Sequence, residues 1–245
     1  PTICPAGSYC TGGDVPYGST GPINVCPENS SSEPGASVCT CNNGFINNGG
    51  TTTTTNACVS DYKFFMTTTP DTTEFSFQIS AAGTFYIDWG DGKTGTIEKT
   101  NTDKQTVSHT YSSADERIIK LGGKASGYDT YYPAISFYEN KNLAKIDGSL
   151  GQIFSTLSDG TQPRFGSASN YNYRGTFKGC TNLTGEIPAE LFSGIYGAPA
   201  SYMFYYTFYG CSGLSGNIPE DLFAGIKGAP ASYMFCGTFA GCSNL

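Results

Sequence analysis

The chain has 245 residues, room for more than one domain, and only 13% of them are charged, about half the usual share, while Gly (32) and Tyr (17) are prominent. The net charge is -7 and Lys and Arg form no cluster, which sets aside nucleic acid and an anionic membrane surface as partners. No apolar run approaches the roughly 18 residues that span a bilayer, and no export signal stands at Pro1. Residues 238–245 begin a repeat that is not completed, so both ends are expected to be cuts in a longer chain.

Residues 1–59 form the first expected module. Cys4, Cys10, Cys26, Cys39, Cys41 and Cys58 are concentrated here, in a stretch with few large aliphatics and no Lys or Arg. Such a stretch buries too little apolar surface to fold unaided, so disulfides and an oxidising compartment are expected. Zinc would need paired, closely spaced Cys and usually His, whereas these spacings are irregular and His109 is the single histidine. Sequence proximity favours Cys4–Cys10, Cys26–Cys39 and Cys41–Cys58. Cys4 pairing with a cysteine upstream of Pro1 stays open. The runs Cys4-Pro-Ala-Gly-Ser-Tyr-Cys10, Cys26-Pro-Glu-Asn-Ser and Cys39-Thr-Cys41-Asn-Asn-Gly-Phe45 resemble the ephrin-receptor-like and TNF-receptor-like modules of surface proteins. The stretch 49–55 reads as a solvated loop or a short stalk.

Residues 60–125 read as a β-sandwich. Short runs rich in β-branched and aromatic residues cover 62–66, 74–80, 84–88, 94–99, 106–111 and 117–121, separated by turn residues. Phe75, Phe77 and Ile79 alternate with Ser76, Gln78 and Ser80, as in a strand buried on one face. Trp89-Gly90-Asp91-Gly92 followed by His109-Thr110-Tyr111 resembles the polycystic-kidney-disease-type β-sandwich of bacterial surface proteins, and implies a non-catalytic fold. Asp91-Gly92 suits a tight hairpin. Asp88 and Asp91 could hold Ca²⁺, but Asp commonly caps its own turn and no further oxygen ligand is placed by the sequence.

Residues 126–245 are repetitive. Thr176-Phe177-Lys178-Gly179-Cys180 recurs at Thr207-Phe208-Tyr209-Gly210-Cys211 and at Thr238-Phe239-Ala240-Gly241-Cys242, each 31 residues on. Leu183-Thr-Gly-Glu-Ile-Pro188 matches Leu214-Ser-Gly-Asn-Ile-Pro219, and a degenerate earlier copy holds Ser136-Phe137 and Asn142-Leu143. Such a period signals a solenoid. The L-x-G-x-I-P element resembles a leucine-rich repeat, and F-x-G-C-x-x-L resembles BspA-like surface repeats. The expected fold class is therefore multi-domain: a small disulfide-rich module, an all-β sandwich and an α/β leucine-rich-repeat-like solenoid of 31-residue repeats. Within one copy, Pro199 suits the first turn of a helix over 200–209, stopped by Gly210. Helical spacing then places Phe204, Thr207, Phe208 and Cys211 on a constant face, with Phe235, Thr238, Phe239 and Cys242 after them and Tyr173, Thr176, Phe177 and Cys180 before. Cys180, Cys211 and Cys242 read as a ladder of buried free thiols. A short helical turn is expected over 220–226.

The opposite face varies between copies. It carries Tyr202, Tyr205, Tyr206 and Tyr209, aligned with Tyr233, Cys236, Gly237 and Ala240 and with Tyr171, Arg174, Gly175 and Lys178. Tyr202, Tyr205, Tyr206, Tyr209, Tyr233 and Arg174 are candidate binding residues, since Tyr joins large contact area to a polar handle. Packing beneath a neighbouring loop explains the tyrosines equally well. Cys236 falls out of phase with the ladder and is either paired outside this chain or a free thiol. Asn29 and Asn182 head N-glycosylation acceptor patterns, which matter only for secretion through an endoplasmic reticulum.

No catalytic constellation is visible. One histidine excludes most triads and zinc sites, and Glu186/Glu190 and Glu220/Asp221 sit in repeat-phased, exposed stretches. No cofactor is implied. The expected function is cell-surface adhesion or recognition of protein or glycan. The rivals are a self-associating filament subunit and the non-catalytic part of a larger secreted enzyme.

Overall fold

The computed structural model describes residues 3–10, 13–14, 18–19, 22–47, 58–168 and 174–245. They belong to two compact units, Pro1–Tyr62 and Lys63–Leu245. The stretch 49–55 lies outside the described residues.

Among its described residues the first unit has four two-stranded antiparallel ladders. β1 (Ser8–Cys10) pairs with β4 (Ile23–Val25), β2 (Gly13–Asp14) with β3 (Gly18–Ser19), β5 (Ser30–Ser31) with β6 (Thr40–Cys41), and β7 (Phe45–Asn47) with β8 (Cys58–Ser60). Its large aliphatics stay outside: Ile23, Val25 and Val38 are more than half exposed. What is buried is chiefly cysteine, with Cys4, Cys10, Cys39 and Cys58 below 5% exposure. Cross-links therefore replace a core. Cys4–Cys10, Cys26–Cys39 and Cys41–Cys58 are formed, each worth about 2–4 kcal/mol through the loop it closes. Three disulfides are the chemistry of an oxidising compartment.

The second unit opens as a sandwich of two antiparallel sheets. β9 (Tyr62–Thr68), β10 (Glu74–Ile79), β11 (Ala81–Asp88), β12 (Thr94–Lys99), β13 (Gln105–Thr110), β14 (Ile118–Tyr128), β15 (Ile135–Ser136) and β16 (Leu143–Gly148) follow in chain order. One sheet runs β12-β11-β14-β9-β16 and the other β13-β10-β15. The alternation in β10 is realised: Phe75, Phe77 and Ile79 are buried while Glu74 and Ser76 are exposed. β14 runs past residue 125, and β15 and β16, both beyond it, complete the two sheets. Sandwich and repeats thus share one core, joined at Phe137, whose ring lies 5.5 Å from Phe77, 6.1 Å from Phe64 and 5.4 Å from Phe177.

The repeat region corrects the α/β expectation. Among the described residues there is no helix; the secondary structure is β throughout, and the repeats are stacked turns. Over 202–211 the backbone N–H groups divide in alternation. Those of Met203, Tyr205, Thr207, Tyr209 and Cys211 each bond the carbonyl three residues back. Those of Tyr202, Phe204, Tyr206, Phe208 and Gly210 bond Ser232, Met234, Cys236, Thr238 and Ala240 of the next copy at 2.8–3.1 Å. An α-helix would keep every donor within the segment. Here half of them are exported to the neighbouring copy, and every fourth residue (Tyr202, Tyr206, Gly210) has positive φ, which no right-handed helix admits. The segment 220–226 is likewise a chain of turns, with Leu222, Ala224 and Ile226 bonding three residues back.

The face expected to be constant is nevertheless the buried one at Thr176, Phe177 and Cys180 and at Phe204, Thr207, Phe208 and Cys211, whereas in the last copy Thr238 and Cys242 are buried, Phe239 is partly buried and Phe235 is 44% exposed. Phe177, Phe208 and Phe239 continue from Phe137 as a column of near-parallel rings 5.2–5.4 Å apart. A second column runs through Phe204 and Phe235 but begins at Phe165, not at the aligned Tyr173, which lies outside the described residues. Thr176 donates its N–H to the Phe165 carbonyl at 2.8 Å, and Gly166 and Gly175 form an isolated antiparallel bridge beside it.

Candidate binding surface

The tyrosines of the repeat form a continuous strip of rings. Tyr233 stacks on Tyr202 at 5.0 Å, Tyr202 meets Tyr205 edge-on at 5.4 Å, Tyr205 stacks on Tyr206 at 4.2 Å, and Tyr206 lies 4.8 Å from Tyr209. Lys178 continues it, with its ammonium 5.2 Å from the Tyr206 ring, 5.3 Å from Tyr209 and 5.7 Å from Tyr138. Beyond Tyr138 stands Arg174, its guanidinium 5.0 Å over that ring. Burial pushes the Lys178 ammonium below its ordinary range, and nearby Glu139 partly restores it. Glu139 also bonds the Tyr138 phenol, and that bond together with burial raises its pKa. The strip is therefore an aromatic surface with two cations set among its rings, an arrangement in which each ring face attracts the positive charge beside it.

Exposure along the strip is uneven. Tyr233 is 60% exposed and Tyr209 41%, but Tyr205 is only 7% exposed. Tyr205 supports its neighbours from below and offers little surface of its own. The variation between copies also has a packing cause at one position. Gly175, Tyr206 and Gly237 occupy equivalent places in successive copies. A Cβ at Gly175 would overlap the Tyr206 carbonyl, and one at Gly237 would overlap the Tyr206 ring. The bulky residue is admitted because both neighbours lack a side chain. Tyr138 escaped the sequence reading, although a signal was there: it follows Phe137 as Lys178 follows Phe177 and Tyr209 follows Phe208. Tyr171 lies outside the described residues.

The thiols behave as two kinds. Cys180, Cys211 and Cys242 are free and buried, each donating its S–H to a phenylalanine carbonyl one copy back: Phe137, Phe177 and Phe208, at 2.9–3.0 Å. Burial pushes the Cys180 thiol up to about 12 and raises those of Cys211 and Cys242. Cys236 is free and exposed. Asn182 is exposed, and its Nδ2 donates to the Lys141 carbonyl at 2.8 Å. Asn29 sits at a turn with positive φ, its carbonyl accepting from the Asn42 amide.

The two sandwich motifs meet in space. The His109 ring stacks on Trp89 at 4.8 Å, its Nε2 lies 2.9 Å from Asp91 Oδ2, and Tyr111 donates its hydroxyl to the Trp89 carbonyl at 3.0 Å. Burial tends to raise the Asp91 carboxyl, but the His109 bond and the Lys93 amide outweigh it and hold it below its ordinary value. Asp88 accepts from the Gly90 amide and from Lys120 Nζ, both at 2.9 Å. These carboxylates fasten a hairpin. Among the described residues no cluster of three or more His, Cys, Asp or Glu side chains is placed to hold a metal ion, and no helix is long and apolar enough to cross a membrane.

The chain matches no protein-family model, no curated protein and no solved structure.

Proposed function

We propose that the chain is an extracellular surface protein whose repeat stack presents the tyrosine–cation strip to a protein or glycan on another surface. One observation carries this reading: the rings from Tyr233 to Tyr209, continued through Lys178 to Tyr138, form a partly exposed surface on a scaffold held copy to copy by backbone hydrogen bonds. Rigid aromatic side chains give large contact area at small entropic cost, which is why tyrosine dominates recognition surfaces. The disulfide-stapled first unit supports placement outside the cell. The likeness of the F-x-G-C-x-x-L element to BspA-like surface repeats supports the same placement, as a resemblance of motif alone.

The test is a glycan and host-protein array probed with the wild type and with Tyr202→Ala, Tyr209→Ala and Tyr233→Ala. Binding to at least one array member is expected, weakened about tenfold or more by the combined variant, since each anchoring tyrosine contributes about 1–2 kcal/mol. A blank array, or binding indifferent to all three substitutions, refutes the reading. Polymers in electron micrographs of the purified chain would instead favour the filament subunit.

A further inference from the structure

We propose that the cleft between the outer face of β10 and the Tyr138–Arg174 pair binds a carboxylated sugar, a uronic- or sialic-type residue within an acidic glycan. This names the ligand class for the cation end of the strip, and it rests on the recognition reading above.

The floor of the cleft is the solvent face of the three-stranded sheet. Ser76 and Gln78 point outward from β10. Thr106 of β13 and Ser136 of β15 stand opposite Gln78 on either side. With the Tyr138 ring and the Arg174 side chain as walls, these residues enclose about 220 Å³. That is smaller than a drug-sized pocket and suits one sugar residue. Three hydroxyls and an amide match a polyhydroxylated ring, and a tyrosine ring offers an apolar plate for sugar C–H groups.

Arg174 sets the sign of the ligand. Its Nη1 donates to the neutral Gln78 Oε1 at 3.0 Å, and its Nε is buried with no partner. Among the described residues no carboxylate pairs with it. A half-buried guanidinium that lines a cleft and has no counter-ion suits a carboxylate, and the planar fork makes that bond both strong and directional. On the far side of Tyr138 a second cavity of about 300 Å³, lined by Glu74, Ser76, Glu139, Asn140 and Asn142, continues from the shared Ser76. Its two carboxylates suit the hydroxyls of a neutral neighbouring sugar and repel a second acid. Asn140 and Asn142 also tie this turn down, donating to the Ser76 and Glu74 carbonyls at 2.9 and 2.7 Å, so the Tyr138 wall is fixed.

An acidic peptide fits less well. β10 has β13 on one side and β15 on the other, so the strand that floors the cleft has no free edge of its own for peptide addition.

Isothermal titration of the full chain with galacturonate and with sialyllactose, against galactose, lactose and triglutamate, tests the proposal. At least one carboxylated saccharide should bind tenfold or more tightly than its neutral counterpart. Arg174→Gln should erase that preference, a loss on the order of tenfold to a hundredfold, and Arg174→Lys should restore only part of it. The exposed Tyr196→Ala control should bind as the wild type, and thermal melts should match throughout. Equal binding of the neutral sugars, equal or better binding of triglutamate, or an unaltered preference in Arg174→Gln overturns the proposal. So does a blank titration: with array binding still lost in the tyrosine variants it removes this subsite alone, and with a blank array it removes the recognition reading as well.

Discussion

Tyr206 shows how much of the surface is decided by single residues. Its φ of 53° lies in the left-handed region, where a non-glycine residue carries a cost of about 1 kcal/mol, and Tyr202 and Tyr233 share that conformation. The exported N–H bonds on either side hold the strained backbone, and the flanking Gly175 and Gly237 make room for it. The cysteines are sorted at the same scale. A thiolate is the reactive form, and burial withholds it from Cys180, Cys211 and Cys242 while leaving Cys236 in solvent. Under native conditions at pH 8, a thiol reagent should therefore modify Cys236 first. The other three should react only at the rate at which the stack opens, and all four together in denaturant. Mass spectrometry of the labelled peptides reads this directly, and Cys211 reacting as fast as Cys236 would show that the ladder is not closed.

At the scale of the element, the stacked turn depends on a column that no single copy contains. Phe177 is fully buried between Phe137 and Phe208, with ring centroids 5.4 and 5.2 Å away, and it also lies 6.4 Å from Phe64. Phe177→Ala should cost about 3–5 kcal/mol, the usual penalty for deleting a buried aromatic ring, and should lower the denaturant midpoint of the whole second unit. A loss below ~1 kcal/mol would mean that the column closes up around the gap. The period of these rings was legible because stacking demands the same residue at the same place in every copy. The stacking of His109 on Trp89 joins two motifs that the sequence presents only as a pair of signatures, but the strands of the sandwich were legible for a similar reason, their alternation. The conformation of the repeat was not. Phe204, Thr207, Phe208 and Cys211 fall on one face of a helix, and a chain of turns brings the same residues to one side. The spacing therefore reports the buried face and not the destination of the N–H groups, which is set by a copy 31 residues away. Weak helix formers crowd the segment from Tyr202 to Gly210, and that composition was the available warning. At the candidate site, Tyr202, Tyr206, Tyr209, Tyr233 and Arg174 do fall on one strip. The burial of Tyr205 and the entry of Tyr138 depend on contacts between copies that a single period does not encode.

For the whole second unit, the consequence is that sandwich and repeats cannot be parted at the composition change near residue 125. The β9–β16 and β10–β15 pairings take strands from both sides of that point, with Ile146 opposite Met66 and Ile135 opposite Ile79. Phe85 stacks on Phe154 at 5.5 Å, and the Ala125 amide donates to the Ile153 carbonyl at 2.9 Å. A fragment of residues 63–128 keeps six strands but leaves β9 and β10 without these neighbours. It also strips Phe64, Phe75, Phe77 and Phe85 of ring partners beyond residue 128, exposing apolar area that each buried side chain counts at about 1.5–3 kcal/mol. Against a typical net stability of about 5–15 kcal/mol, that loss is enough to unfold it. Residues 63–245 should accordingly melt in one cooperative transition, with near-ultraviolet dichroism from the single Trp89 and far-ultraviolet dichroism changing together. Residues 63–128 should show no such transition and should expose apolar surface to a hydrophobic dye. A sharp, reversible melt of the short fragment would show instead that the sandwich is a domain in its own right and that the repeats are an appendage to it.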